Sequence, residues 1–237
     1  MSYDIPTVAA AMDQKIMQLD NMTNNLANAG TPGFKAQHLH VLKTIEEGDK
    51  ANEVSASVTG MYVDFSQGIS QKTGNPLDLH LQGDGFFVVQ TREGQAFTRK
   101  GDFAVNKSNQ IVTQAGDTVI GDGGPITLKD GKINISQDGS VYVDESQVGK
   151  IKIVDFTNRK TLSQTGGGLY RDPGTAGMKK VEQPLIMSGF IELSNVNIVK
   201  EMAKMIDIHR SFETYQKIIQ TLTEQDKLTT GRVGRVA

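Results

Sequence analysis

Apolar side chains near the N-terminus fall at Ile5, Ala9, Met12, Ile16, Leu19 and Leu26, with Thr23 completing the series. The spacings alternate four and three, a heptad seam that predicts one amphipathic helix. Asp4, Asp13, Gln14, Asp20, Asn21 and Asn24 lie off the seam. The helix is expected to end near Asn28 or Ala29. Gly30 tolerates a left-handed turn after a helix, and Pro32 cannot continue one. From Asn195 the helical period returns. Met205, Ile208, Phe212, Tyr215, Ile219 and Leu222 form a second seam, extended backwards by Ile198 and widened by Met202, Ile206 and Ile218. Ser194, Asn195 or Asn197 supplies the N-cap, and the helix is expected to run to about Lys227 before a frayed tail from Thr229.

Between the helices the period shortens. Residues 36–76 read as an extended connection with weak strands. From 77 to about 185 the apolar runs are short and rich in Val, Ile, Phe and Thr, at 86–89, 97–99, 103–105, 111–113, 118–120, 126–128, 133–135, 141–143 and 151–156. Asp84-Gly85, Ala115-Gly116, Asp122-Gly123, Asp130-Gly131 and Asp138-Gly139 punctuate them, and Asp-Gly suits tight turns. This spacing predicts an antiparallel sandwich or barrel. Residues 166–168 and 172–177 read as mobile loops. The expected fold is therefore α + β. Terminal heptad helices form a coiled-coil-like layer, and an all-β domain is inserted between them. The expected parts are 1–35, a helix and turn; 36–76, the connection; 77–187, the β domain; and 188–237, the second helix. A lone helix of this length is marginal in water and needs its stripe packed. The pattern leaves two partners open, the other helix of the same chain or the helices of neighbouring copies.

Composition narrows the function without naming it. The formal net charge is −2, and no basic patch with interleaved aromatics appears, so nothing points to nucleic acid. The absence of cysteine excludes disulfides, thiolate metal sites and cysteine nucleophiles. No run of 18 apolar residues exists to span a membrane, and the first 15 residues do not read as a secretory signal. His38 and His40 flank Leu39 without an acidic partner nearby, and read as an ordinary pair rather than a metal site. His80 and His209 stand alone. The Asp-Gly pairs do not match a calcium loop. Gly83-Asp84-Gly85 lacks the third glycine and helix of a dinucleotide fingerprint, and Gly166-Gly167-Gly168 lacks the Lys-Ser/Thr of a phosphate loop. Asp144 and Glu145 sit at a turn. No catalytic residue, cofactor, metal or small-molecule substrate is expected. A self-assembling structural subunit remains, beside a secreted β-rich hydrolase acting on cell wall. The hydrolase needs an acid–base or nucleophile–base pair that no motif supplies.

Four stretches decide between them. Asn24-Asn25-Leu26-Ala27-Asn28 is followed by Thr31, Gly33, Phe34 and Lys35. Ser66-Gln67-Gly68 precedes Thr73-Gly74-Asn75-Pro76-Leu77-Asp78 and Gly83-Asp84-Gly85-Phe86-Phe87. Phe97-Thr98-Arg99-Lys100-Gly101-Asp102-Phe103 leads to Val112-Thr113. Gly189-Phe190-Ile191-Glu192-Leu193-Ser194-Asn195-Val196-Asn197 opens the last helix, with Glu201-Met202. In this order they resemble the axial proteins of the bacterial flagellum, the rod and hook family, from end to end. The Arg210-Ser211-Phe212-Glu213 run is more similar to the proximal than to the distal rod branch. The resemblance implies terminal helices forming the inner layer of a tube, with the β region outside. It implies a subunit of the basal-body rod in the periplasmic space. Its implied partners are other copies, other rod proteins and the flagellar type III export apparatus. The implied packing seam is Ile5, Met12, Ile16, Leu19 and Leu26 with Met205, Ile208, Phe212, Tyr215, Ile219 and Leu222. The implied motif turn is Asn24, Asn25, Asn28, Thr31, Gly33 and Phe34.

Overall fold

The computed structural model describes residues 5–42 and 58–233, with side chains for 8–39 and 60–225. Within these bounds the chain is α + β, with a helix near each end and antiparallel strands between. Helix α1 spans Ile5–Ala27 and α2 spans Ile198–Val233. The chain forms two compact units. One holds α1, residues 37–42 and 58–62, and α2; the other holds Asn28–Ala36 and Val63–Val196.

In the helical unit, α1 packs on α2 and on the strand Gln37–Leu42, which pairs with Val58–Val63. Val8 and Ile208 are buried there, together with the polar Asn21, Asn25 and Glu201. Asn25 is satisfied by one residue. Its amide donates to the Gln37 carbonyl at 2.8 Å and its oxygen accepts the Gln37 N–H at 2.9 Å. Asn197 caps α2 by accepting the Lys200 N–H at 3.0 Å, as an N-cap asparagine does for an otherwise orphaned donor. The helix continues past the expected fray at Thr229 to Val233. A glycine inside a helix costs only ~1 kcal/mol relative to alanine, so Gly231 does not end it.

The β unit is built around the strand Phe86–Thr91. Phe87 and Val89 enter one core with Leu79, Leu81, Phe103, Val119 and Ile151. Phe86 and Val88 enter a second core with Phe97, Val154, Phe156 and Tyr170. A strand buried on both faces must be apolar without alternation, which explains the unbroken run from Phe86 to Val89. One edge of this strand pairs with Gly94–Thr98. The other edge is shared. Ile153–Phe156 pairs at Phe86 and Phe87, and Thr118–Gly121 pairs at Val89 and Gln90, so the sheet splits there. The second core is held by edge-on aromatic pairs. Phe86 lies 5.6 Å from Phe156 and 5.8 Å from Tyr170, and Phe97 lies 4.8 Å from Phe156, centroid to centroid.

Three local expectations change. Residues 126–128 are not a strand, although Ile126 and Leu128 are buried. Only Thr127 pairs, in an isolated antiparallel bridge to Gln110, through the Ile111 N–H to the Ile126 carbonyl at 3.2 Å and the Leu128 N–H to the Asn109 carbonyl at 2.7 Å, too short a pairing to form a ladder. Residues 166–168 are a tight hairpin turn joining Ser163–Gly166 to Leu169–Arg171. All three glycines have positive φ, which only the lack of a Cβ allows at no cost. Residues 172–177 are bonded rather than loose, because one Asp172 oxygen accepts the N–H groups of Gly174, Thr175 and Ala176 at 2.8, 3.1 and 3.0 Å.

Candidate functional site

Lys35 sits in an apolar run, between Phe34 and Ala36, and Glu192 sits in another, between Ile191 and Leu193. A charge there is buried only if it is paired. Both are buried, at 0% and 1% exposure, and the Lys35 ammonium donates to Glu192 Oε1 at 2.6 Å. The same ammonium donates to the Ser66 carbonyl at 2.6 Å. Glu192 Oε1 also accepts the Gly68 N–H at 2.8 Å. Arg99, 4% exposed, brings its Nε to 3.3 Å from Glu192 Oε2. That contact is an ion pair without hydrogen-bond alignment, so Oε2 accepts no hydrogen bond from the described residues. The Arg99 fork instead donates to the Gly85 and Gly83 carbonyls at 2.7 and 2.8 Å. All these residues belong to the β unit.

The cluster is a hub where the chain's motifs meet. The loop Ser66-Gln67-Gly68 is held at each residue. Asn195 donates to the Ser66 carbonyl at 3.2 Å and hydroxyl at 3.0 Å, and to the Asp64 carbonyl at 2.8 Å. Gln67 spans to the strand Leu79–Gln82, donating to the Leu81 carbonyl at 3.1 Å while accepting the Gly83 N–H at 3.2 Å. Gly68 lies so close to the Leu193 carbonyl that a Cβ has no room. Gly33 is equally constrained. Its φ is +64°, its N–H donates to the Glu192 carbonyl at 2.7 Å, and a Cβ would meet Lys100 N at 2.5 Å. The hub therefore grips residues 33–36, just after α1, and residues 192–195, just before α2.

Burial dominates its electrostatics. Desolvation pulls Lys35 and Arg99 below their ordinary values, against the opposing pull of Glu192. Desolvation likewise lowers His80, which is 2% exposed. Two cations thus share one buried carboxylate, an arrangement that tolerates the loss of a cation better than the loss of the anion.

Of the expected motif turn, Gly33 and Phe34 contact the hub, through Glu192 and Asn195, whereas Asn25 is bonded to Gln37 in the helical unit. Asn25 and Phe34 are buried, Gly33 closes on Glu192, and the Asn28 carbonyl accepts the Thr31 N–H at 3.0 Å. Asn24 is exposed and Asn28 half-buried. Of the seam, Ile208 is buried, Met12, Leu19, Leu26, Met205, Phe212, Tyr215, Ile219 and Leu222 are half-buried, and Ile16 is 42% exposed. The side chains of Ile5 and His40 lie outside the described residues. Sequence reasoning quoted Lys35, Arg99 and Glu192 within motifs without assigning them a role. The available signal was a charge embedded in an apolar run. A separate cleft of about 1000 Å³ has a polar wall of Lys132, Asn134, Ser136, Tyr142 and Asp144, and no histidine among its lining. Among the described residues no three His, Asp or Glu side chains converge for a metal. No described helix is long and apolar enough to cross a membrane.

Two stretches of the chain match models of known families. The family model for the flagellar hook protein FlgE/F/G D1 domain matches residues 80–143. That for the flagellar basal body rod FlgEFG protein C-terminal region matches residues 187–229. The flagellar basal-body rod protein FlgF of Caulobacter vibrioides is 35% identical over 227 residues, covering 92% of this chain and 93% of its own. The chain belongs to the flagellar basal-body rod protein family. FlgF of Salmonella typhimurium is also 35% identical to this rod protein, over 95% of this chain and 96% of its own. FlgG of Bacillus subtilis is 32% identical over 87% and 90%. The rod protein is FlgF-like, as the Arg210-Ser211-Phe212-Glu213 run suggested. Two of the hub's three charges, Arg99 and Glu192, fall inside the family matches.

Proposed function

We propose that this FlgF-like rod protein is a non-catalytic subunit that assembles through α1 and α2. The helices of neighbouring copies and of other rod proteins complete its seams as a coiled-coil-like inner layer. The β unit lies outside that layer. In this reading residues 1–35 and 188–237 supply the inner domain, 36–76 the connection and 77–187 the outer domain. The subunit reaches the periplasmic space through the flagellar type III export apparatus and there forms part of the tubular drive shaft for motility. It takes no nucleic acid, cofactor or small-molecule substrate.

The observation that carries the reading is the apolar surface left on the helices. Ile198 is 45% exposed, Met202 48% and Ile206 56%, all near the start of α2. Fully burying a side chain of this size contributes about 1.5–3 kcal/mol, a strong drive when many copies supply the cover. The competing reading is a self-sufficient two-helix core, which the packing of α1 on α2 favours. Only Val8 and Ile208 are fully buried apolar residues on the described helices, which is thin for a core. The test is a strain lacking the gene, complemented with wild type or with Met202→Asp/Ile206→Asp. The null strain is expected to lack rods and not to swim, and the double variant to give folded subunits without rods. Complete flagella in the null strain, or wild-type swimming with the double variant, would refute the proposal.

A further inference from the structure

His80 is buried in the hub's floor with no role in the charge pairing. Its Nε2 lies 2.9 Å from Gln67 Nε2. The orientation of Gln67 is fixed by its other contacts, since its nitrogen donates to Leu81 O and its oxygen accepts Gly83 N–H. Turning the amide over would set oxygen against the Leu81 carbonyl and N–H against N–H at Gly83. Gln67 is therefore the donor toward His80, and His80 Nε2 is the acceptor. The ring is neutral, with its proton on Nδ1, which has no partner among the described residues. A second proton would have to go on Nε2, directly against the Gln67 amide.

The surroundings give that proton no refuge. The charges acting on the ring are Glu192 from the strand Phe190–Glu192, Arg99 after the strand Gly94–Thr98, and Lys35. Glu192 already serves both cations. The strand Leu185–Ser188, which pairs with the His80 strand, carries no titratable group. Protonation would add a further buried positive charge beside Lys35 and Arg99.

We propose that His80 and Gln67 form an acid-sensitive latch: on protonation of His80 the Gln67 loop lets go of the Leu79–Gln82 strand and loosens the hub's grip on the chain beside both helices. The device holds for the isolated subunit and does not depend on the assembly reading. The direction follows from linkage. The folded ring has a lower pKa than the free side chain, so the unfolded chain binds the extra proton more readily. The latch's contribution is complete above the ordinary imidazole value of 6.5 and falls as the pH drops below it, until the ring is protonated in both states.

The experiment is amide exchange by mass spectrometry on the full chain at pH 7.5 and pH 5.0, corrected for intrinsic exchange rates. Peptides covering 64–83 are expected to lose at least tenfold in protection in the wild type. In His80→Gln, whose amide can accept from Gln67 at any pH, they should change less than threefold. Equal loss in both proteins overturns the latch. A second measurement needs no mutant to fold. In the wild type, the His80 ring should show by NMR the Nδ1–H tautomer and a pKa below the ordinary imidazole value of 6.5. An Nε2–H tautomer, or titration at or above the ordinary value, overturns it as well.

Discussion

Glu192→Gln is the most informative single change, because it removes one charge and almost no volume. The glutamine oxygen can still accept the Gly68 N–H and the Lys35 ammonium, so the hydrogen-bond framework is retained. What disappears is the one carboxylate among the described residues within ion-pair distance of Lys35 and Arg99, which are 0% and 4% exposed. Leaving a buried charge without its partner costs roughly 3–5 kcal/mol. For a domain of this size that lowers the melting temperature by about 10 °C. Lys35→Met is the control. It also breaks the ion pair, but Glu192 keeps Arg99, Gly68 keeps its acceptor, and the Ser66 carbonyl keeps Asn195. With no group left unsatisfied, its cost should stay near 1 kcal/mol, the net worth of an ordinary hydrogen bond. Urea unfolding of the two variants, followed by far-ultraviolet circular dichroism at pH 7.5, separates them. If Lys35→Met proved as damaging as Glu192→Gln, the excess of buried positive charge could not be what sets the hub's energetics.

Other changes probe separate parts of the chain. Gly33→Ala forces a Cβ into the Arg99–Lys100 backbone at positive φ, and soluble yield and melting temperature should drop by more than for Gly30→Ala, where space is open. Asp155 meets Arg159 at 2.8 Å and Lys179 at 3.3 Å, and these partners hold it below its ordinary value of 3.8 although burial alone would raise it. That stability is present above pH 3.8 and lost as the pH falls through the lowered value. Asp155→Asn should flatten the acid limb of a stability–pH profile, and an unchanged limb counts against the pairing. Leu19→Asp and Ile219→Asp place a carboxylate on half-buried seam positions. Swimming should be abolished while the β-unit circular dichroism persists, and retained motility in both strains counts against the seam.

The sequence by itself determined the order of the elements, because period is a local property. A four–three spacing can bury a stripe only as a helix, and short Val-rich runs between Asp-Gly turns can pair only as strands. It also determined the family, because spaced motifs survive in the order of the letters. Side-chain pairing across the sequence was not legible. Lys35 and Glu192 are separated by more than 150 residues, and nothing local to either says which opposite charge it meets. The split edge of Phe86–Thr91, the strand lost at 126–128 and the neutral state of His80 have the same origin. Each depends on a donor or acceptor supplied by another part of the chain. Residues 166–168 and 172–177 read as loose because glycine and aspartate are turn formers in any context. The bonds that fix them are local, the hairpin pairing about 166–168 and the Asp172 carboxylate within 172–177, but turn-forming residues alone do not show that they form. Low-dielectric burial makes the distant pairings energetically decisive, and burial exists only once the chain has folded.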